Sequence, residues 1–132
     1  SSAGIAVLGS SIVQRTENNV FSKAQRGQIA SVSYASSVVL SFNNANNFKI
    51  NTLTGNVTIA NPSSLAASPG QGGSIWTTQD GSGSRTVSFG SAFSFPAGEA
   101  PTASTASGTT DRTDYKVRDA STIDANMVLN VS

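Results

Sequence analysis

The fold of this chain is decided by the stretch from Gly55 to Gly98, which reads GNVTIANPSSLAASPGQGGSIWTTQDGSGSRTVSFGSAFSFPAG. It contains three short runs rich in apolar and β-branched residues, at 57–59, 74–78 and 85–89. Such runs predict strands, and the segments dense in Gly, Pro, Asn, Asp and Ser between them predict turns. The sequence Asp80–Gly83 joins two of the runs with residues that tolerate positive φ, which predicts a β-hairpin.

Similar runs occur on both sides of this stretch, and no segment has a long helical period. They lie at 29–34, 37–42, 48–53, 113–118 and 122–131. The last two are separated by Asp119–Ser121, which predicts a second hairpin. Many short strands joined by turns are typical of sandwiches and jelly rolls. We therefore predict an all-β fold, an antiparallel β-sandwich or jelly-roll-like domain over residues 21–132, preceded by an extended N-terminal arm over residues 1–20.

The predicted arm carries two small apolar patches without a helical period. Terminal segments are ordered only where something holds them, and exposed apolar groups favour burial against a partner. The residues predicted to contact a partner are Ile5, Val7, Leu8, Ile12 and Val13.

Composition excludes several classes of function. The chain has 132 residues, which suits one domain, and 37% of them are hydrophobic while only 11% are charged. Its eight Lys and Arg residues are scattered and its net charge is +1, so no nucleic-acid partner is expected. The absence of Cys and His removes the commonest metal ligands and the usual general base, so we expect no metal, cofactor or catalytic residue. No apolar run approaches the roughly 20 residues of a membrane-spanning helix, so no membrane contact is expected.

Two groups of residues that include aspartates allow a chemical interpretation. Asp80, Ser82 and Ser84 resemble the start of a calcium loop, but the later acidic ligand is missing, and a turn is favoured. Two aspartate pairs, Asp111 with Asp114 and Asp119 with Asp124, formally allow a glycosidase site, but no spacing brings either pair together. A solvated strand face is the favoured interpretation, and the chain is predicted not to be an enzyme.

The only tryptophan, Trp76, has two interpretations. Together with Tyr34 and Tyr115 it could form a platform on which a sugar stacks. Because Trp76 lies within an apolar strand pattern, packing in the core is favoured.

Short motifs recur from Phe21 onward, among them FSKAQRG at 21–27, GNVT at 55–58, QD at 79–80 and GSRT at 83–86. In these motifs the chain resembles a module of virion proteins of tailed bacteriophages and prophages, including tail-fibre-like proteins. The family carries Trp where Phe21 stands here. The motif residues, to which the resemblance assigns a structural role, are Phe21, Gln25, Arg26, Gly27, Phe48, Gly55, Asn56, Asn61, Pro62, Gln71, Gln79, Asp80, Arg85 and Pro96.

The resemblance implies a component of a phage particle. Family members often follow long fibre chains, whereas 20 residues precede the module in this sequence. This favours a capsid decoration (cement) protein that binds the major capsid protein, forms a homo-oligomer, most simply a trimer at a capsid three-fold site, and lies on the virion surface. The alternatives are a tail-fibre or receptor-binding module and a carbohydrate-binding β module that recognises a surface glycan.

Overall fold

The computed structural model describes residues 18 and 20–132. The predicted partner-contact residues of the arm, Ile5, Val7, Leu8, Ile12 and Val13, lie outside the described residues. Nine strands and two short 3-10 turns, Leu65–Ala67 and Pro96–Gly98, make up the regular structure of the described part. The strands are β1 (Ile29–Val32), β2 (Ser37–Val38), β3 (Asn47–Ile50), β4 (Val57–Ile59), β5 (Gly72–Thr78), β6 (Val87–Phe89), β7 (Phe93–Ser94), β8 (Thr110–Asp119) and β9 (Thr122–Val128).

The strands form two sheets, and the chain alternates between them from β1 to β6. The larger sheet has the order β1-β3-β5-β8-β9-β7, and the smaller has the order β2-β4-β6. Strands β1, β3 and β5 pair in parallel, as do β2, β4 and β6. Each coil of the chain therefore adds one strand to each sheet, which is the winding of a short parallel β-solenoid.

The prediction of a β-rich fold is confirmed, but the prediction of antiparallel sheets is wrong for most strand pairs. Of the seven strand pairs in the described residues, five are parallel, and β5/β8 and β8/β9 are antiparallel. The Asp119–Ser121 hairpin is confirmed. The Asp80–Gly83 hairpin is wrong, because β5 and β6 belong to different sheets and this turn carries the chain from one to the other. Turn composition indicates that the chain bends, but does not say which sheet the next strand joins.

The hydrophobic core lies between the two sheets. Alternate residues point inward along each strand, as the period of two requires. The rings of Phe42 and Tyr115 stack with centroids 5.1 Å apart inside this core. Each large side chain that is fully buried contributes roughly 1.5–3 kcal/mol to folding. The largest are Phe48, Leu40, Ile50, Leu53, Ile59, Ile75 and Ile123.

Asparagine side chains connect successive coils at the bends. In each case the amide oxygen accepts a hydrogen bond from a backbone N–H of the next coil, as a strand carbonyl would. The pairs are Asn47 Oδ1 with Ser74 N–H at 3.0 Å, Asn56 Oδ1 with Thr86 N–H at 2.9 Å, and Asn61 Oδ1 with Ala92 N–H at 2.9 Å.

Two buried polar residues hold the segment between Pro96–Gly98 and β8 against the domain. Gln79 Nε2 donates to the carbonyls of Arg85 (2.7 Å) and Ser104 (2.9 Å), while Gln79 Oε1 accepts from the Arg85 N–H (3.0 Å). The carboxylate of Asp111 accepts from the N–H groups of Ser104 (2.7 Å) and Asn130 (2.8 Å). This Ser- and Thr-rich segment therefore wraps around its own domain.

Across residues 18 and 20–132, none of the helical turns has the length and apolar character needed to cross a bilayer.

Candidate functional site

The outer face of the larger sheet carries the tryptophan. Lys49 of β3 and Arg112 of β8 lie opposite Trp76 of β5, one on each side. The prediction that Trp76 packs in the core is wrong, since the side chain is only partly buried and lies outside the core cluster. The reason is the strand period: Ile75 and Thr77 point into the core, so the residue between them points outward.

A groove of about 620 Å³ adjoins Trp76 on this face. Its volume falls in the range of pockets that accept small molecules. Polar and apolar groups contribute to its lining in nearly equal measure. The groove is lined by Trp76 together with Ile29, Lys49, Ile50, Asn51, Thr52, Thr78 and Thr110.

Beside the groove, an ion pair is fixed on the same sheet face. Arg112 donates to both carboxylate oxygens of Asp114, with Nε–Oδ1 at 2.8 Å and Nη2–Oδ2 at 3.0 Å, and Ser74 Oγ donates to Asp114 Oδ1 at 2.6 Å. Partial burial acts to raise the pKa of Asp114, but the hydrogen bonds from Arg112 and Ser74 outweigh it and lower the pKa below its usual value. The charge of Arg112 is therefore neutralised by a carboxylate that stays ionised.

Lys49 differs from Arg112 in its charge environment. The ion pairs between described residues join Arg85 to Asp80, Arg112 to Asp114 and Arg118 to Asp124, and none includes Lys49. No carboxylate lines the groove within the described part of the chain. The groove therefore has a positive charge.

The indole ring itself is not engaged by another ring. The aromatic pairs found among residues 18 and 20–132 join core and bend residues, and Trp76 belongs to none of them. Next to it, the hydroxyls of Thr78 and Thr110 are hydrogen-bonded to each other at 2.9 Å. The arrangement can bind a small polar ligand against an aromatic surface.

In the predicted turn at Asp80, both carboxylate oxygens accept hydrogen bonds from nearby groups of the chain. Asp80 Oδ1 accepts from the N–H groups of Ser82 (3.0 Å) and Gly83 (2.9 Å), and Oδ2 accepts from Arg85 Nη2 (2.8 Å). The hydrogen bond from Arg85 is the main cause that lowers the pKa of Asp80. These oxygens stabilise a turn, and the described residues contain no group of three acidic side chains placed to hold a metal ion.

The other aspartates are also bound to partners of their own. Asp111 points into the domain, whereas Asp114 lies on the outer face. Asp119 accepts from the Ser121 N–H at 3.0 Å within the hairpin, and Asp124 pairs with Arg118, whose Nε lies 3.0 Å from Oδ1. Each carboxylate thus has a local structural role.

Several predicted motif residues shape the bends between coils. Gln71 Nε2 donates to the Ala45 carbonyl at 3.0 Å, and a side chain at Gly55 would place Cβ 2.4 Å from the Tyr34 hydroxyl. At Gly27, a Cβ would lie 3.1 Å from Asn46. Most of the motif residues lie at the bends, namely Gly27, Gly55, Asn56, Asn61, Gln71, Gln79, Asp80 and Arg85.

The remaining motif residues have different environments. Phe48 and Pro62 are buried, and Pro96 begins a 3-10 turn. Phe21, Gln25 and Arg26 are exposed. None of the motif residues lines the groove.

Sequence reasoning missed Lys49, Asn51 and Thr52 as groove residues. One signal was available: Ile75 and Trp76 are adjacent in a strand, and a strand cannot bury both on one face.

Comparisons with protein-family models, with characterised proteins and with solved structures found no match to this chain.

Proposed function

We propose that this chain is a structural protein of a bacteriophage virion, and that it acts as a capsid decoration protein on the head surface. The resemblance of its motifs to phage virion modules supports this proposal. Its strongest structural support is the first coil, whose two strands form the edges of the two sheets on the same side of the solenoid.

Strands β1 and β2 are each the edge strand of their sheet, with no further strand paired to them in the described part of the chain. Ile29, which begins β1, is 56% exposed, and Val39, which follows β2, is 60% exposed. Open strand edges with apolar side chains favour pairing with another chain. A protein that assembles on a surface requires such an interface.

The partners proposed for this end are the major capsid protein and further copies of the chain in a homotrimer, with the arm residues adding contacts. The net charge of +1 gives little electrostatic attraction to nucleic acid. The two sheets enclose one core, which supports a sandwich-like module. A jelly roll, which is built from antiparallel strands, fits the parallel pairs less well.

A second candidate is a tail-fibre or carbohydrate-binding module that attaches to a surface glycan. Trp76 favours it, because the residue lines a groove that mixes polar and apolar groups and lies outside the core cluster. In both candidates the protein binds a partner and does not catalyse a reaction. This is supported by the aspartates of the described domain, because each of them has a local structural partner.

Electron cryomicroscopy of phage heads incubated with the recombinant protein tests the proposal. We expect added density on the head, and antibody label on the head of intact virions. Val39→Lys, at the open end, is expected to reduce occupancy, whereas Leu129→Lys, which changes an exposed apolar residue after β9, is not. Label confined to the tail would reject decoration in favour of the second candidate, and absence from the particle would reject every virion role and leave only a carbohydrate-binding module.

A further inference from the structure

We propose that the groove beside Trp76 is a binding site for an acidic saccharide, in which the indole ring supports a sugar ring and Lys49 pairs with its carboxylate. This inference rests on the second candidate function and specifies the class of glycan. It requires only the carbohydrate-binding part of that candidate and not a position on the tail.

The side chain of Trp76 is partly exposed on the outer face of the larger sheet. A pyranose has a face of C–H groups and a rim of hydroxyls, so it binds best where an apolar plane is bordered by hydrogen-bonding groups. Trp76 provides a partly exposed aromatic surface at an outward-facing strand position. The neighbouring Ile75 is fully buried, which anchors this stretch of the strand to the core.

Uncharged polar groups share the groove with Trp76. Asn51 and Thr52 are exposed and follow β3, and they offer an amide and a hydroxyl that both donate and accept. The paired hydroxyls of Thr78 and Thr110 lie on the neighbouring strands. Uncharged groups of this kind match the hydroxyls of a sugar, whereas an apolar ligand would cover Asn51 and Thr52 without offering them hydrogen-bond partners.

The charge of the groove favours an acidic sugar. Lys49 is the only charged residue of the groove lining in the described structure, and the adjacent Arg112 is already neutralised by Asp114. One cation suits one carboxylate per bound sugar unit, as in a uronic acid. A nucleic acid would require a cluster of cations, which the groove does not have.

The experiment uses the fact that the chain has one tryptophan, so fluorescence excited at a wavelength that tyrosine does not absorb reports on this site. The probes are tetrasaccharides of galacturonic acid, mannuronic acid and hyaluronan, each with its methyl ester, which removes the charge and keeps the ring. We expect a saturable fluorescence change with at least one acid, and binding roughly tenfold weaker for its ester, because a charge-assisted hydrogen bond is lost.

Variants locate the site by calorimetry, with folding checked by circular dichroism. Lys49→Gln is expected to weaken binding roughly tenfold. Lys116→Gln, which changes a lysine of β8 opposite Gly72 and outside the groove, is expected to leave binding unchanged. Trp76→Ala is expected to abolish binding, and Trp76→Phe to retain part of it.

Three results would overturn the inference: no binding of any acidic probe, equal affinity for acid and ester, or equal loss in the Lys49 and Lys116 variants. Because these measurements use the isolated protein, their failure is separable from the result of head labelling. A protein that coats heads and binds no saccharide would retain the decoration function and lose only this site.

Discussion

Gly73 is the position where a single methyl group should be most disruptive. A Cβ added at this residue of β5 would lie 1.8 Å from the carbonyl oxygen of Asn46 and 2.7 Å from its carbon. Both atoms belong to the backbone, so no side chain can rotate away. Real Cβ atoms essentially never approach within 3.0 Å of another heavy atom, and the Asn46 oxygen would therefore have to move by at least 1.2 Å.

The Asn46 carbonyl is held in place, which sets the size of the effect. It accepts a hydrogen bond from the Tyr115 hydroxyl at 2.6 Å, and Gln71 holds the adjacent Ala45 carbonyl at 3.0 Å. Movement of the turn would stretch or break both bonds. Overpacking costs about 1–3 kcal/mol, and each of the two lost hydrogen bonds about 0.5–1.5 kcal/mol, so Gly73→Ala should lower the free energy of unfolding by about 2–6 kcal/mol.

Urea denaturation of both variants measures this difference, with the slope of the transition checked for two-state behaviour. Gly81→Ala is the matched control, because no atom lies within 4 Å of the position that its Cβ would occupy and its φ is not in the left-handed region. We expect Gly81→Ala to remain within about 0.5 kcal/mol of the parent. A Gly73→Ala variant as stable as the Gly81→Ala variant would refute the close approach of the two backbones.

Three further predictions concern the bends and the aspartates. Gln79→Leu should lower the free energy of unfolding by roughly 2–4 kcal/mol, because three backbone groups lose their hydrogen-bond partner. Gln79→Glu should cost at least as much at neutral pH, because it places a carboxylate against two carbonyl groups. An unchanged urea midpoint in either variant would contradict this prediction. Gly55→Ala should cost about 1–2 kcal/mol by displacing the Tyr34 hydroxyl from the Asn56 carbonyl, and a double-mutant cycle with Tyr34→Phe should show that this cost falls when the hydroxyl is absent. The folded-state pKa values of Asp80 and Asp114 lie below their unfolded values near 4, so their contribution is present above about pH 4 and is lost as the pH falls through the folded pKa values. Urea midpoints measured from pH 2 to pH 8 should be constant above about pH 5, because a chain without His has no side chain of ordinary pKa that titrates there. The midpoints should fall as the pH is lowered below about 5. A decline in the midpoint between about pH 5 and pH 8 would contradict this prediction.

The positions of most strands could be predicted from the sequence, because alternation is a local property. Val57–Ile59 and Thr122–Val128 are recognisable from neighbouring residues alone, since a strand with one buried face must alternate. The hairpin at Asp119–Ser121 was predictable for a similar reason: the two strands it joins are nearest neighbours in one sheet. The same turn chemistry at Asp80–Gly83 gave the wrong pairing.

The groove could be predicted only in part. The adjacency of Ile75 and Trp76 places them on opposite faces of a strand, but which face lies inward depends on what the sheet packs against. Lys49 is 27 positions away from Trp76 in the chain, and the two become neighbours only because β3 and β5 pair in parallel. No local pattern encodes that register.

The sequence by itself determined that the chain is β-rich, where it bends, and that it has neither thiol nor imidazole groups, because these follow from residue identity and short-range periodicity. Only the tertiary structure decided that the strands wind in parallel coils, that Asn and Gln side chains connect those coils, and that the tryptophan lies outside the core. The physical reason is that strand pairing and burial depend on contacts between residues far apart in the chain, so the same local pattern suits a hairpin and a coil.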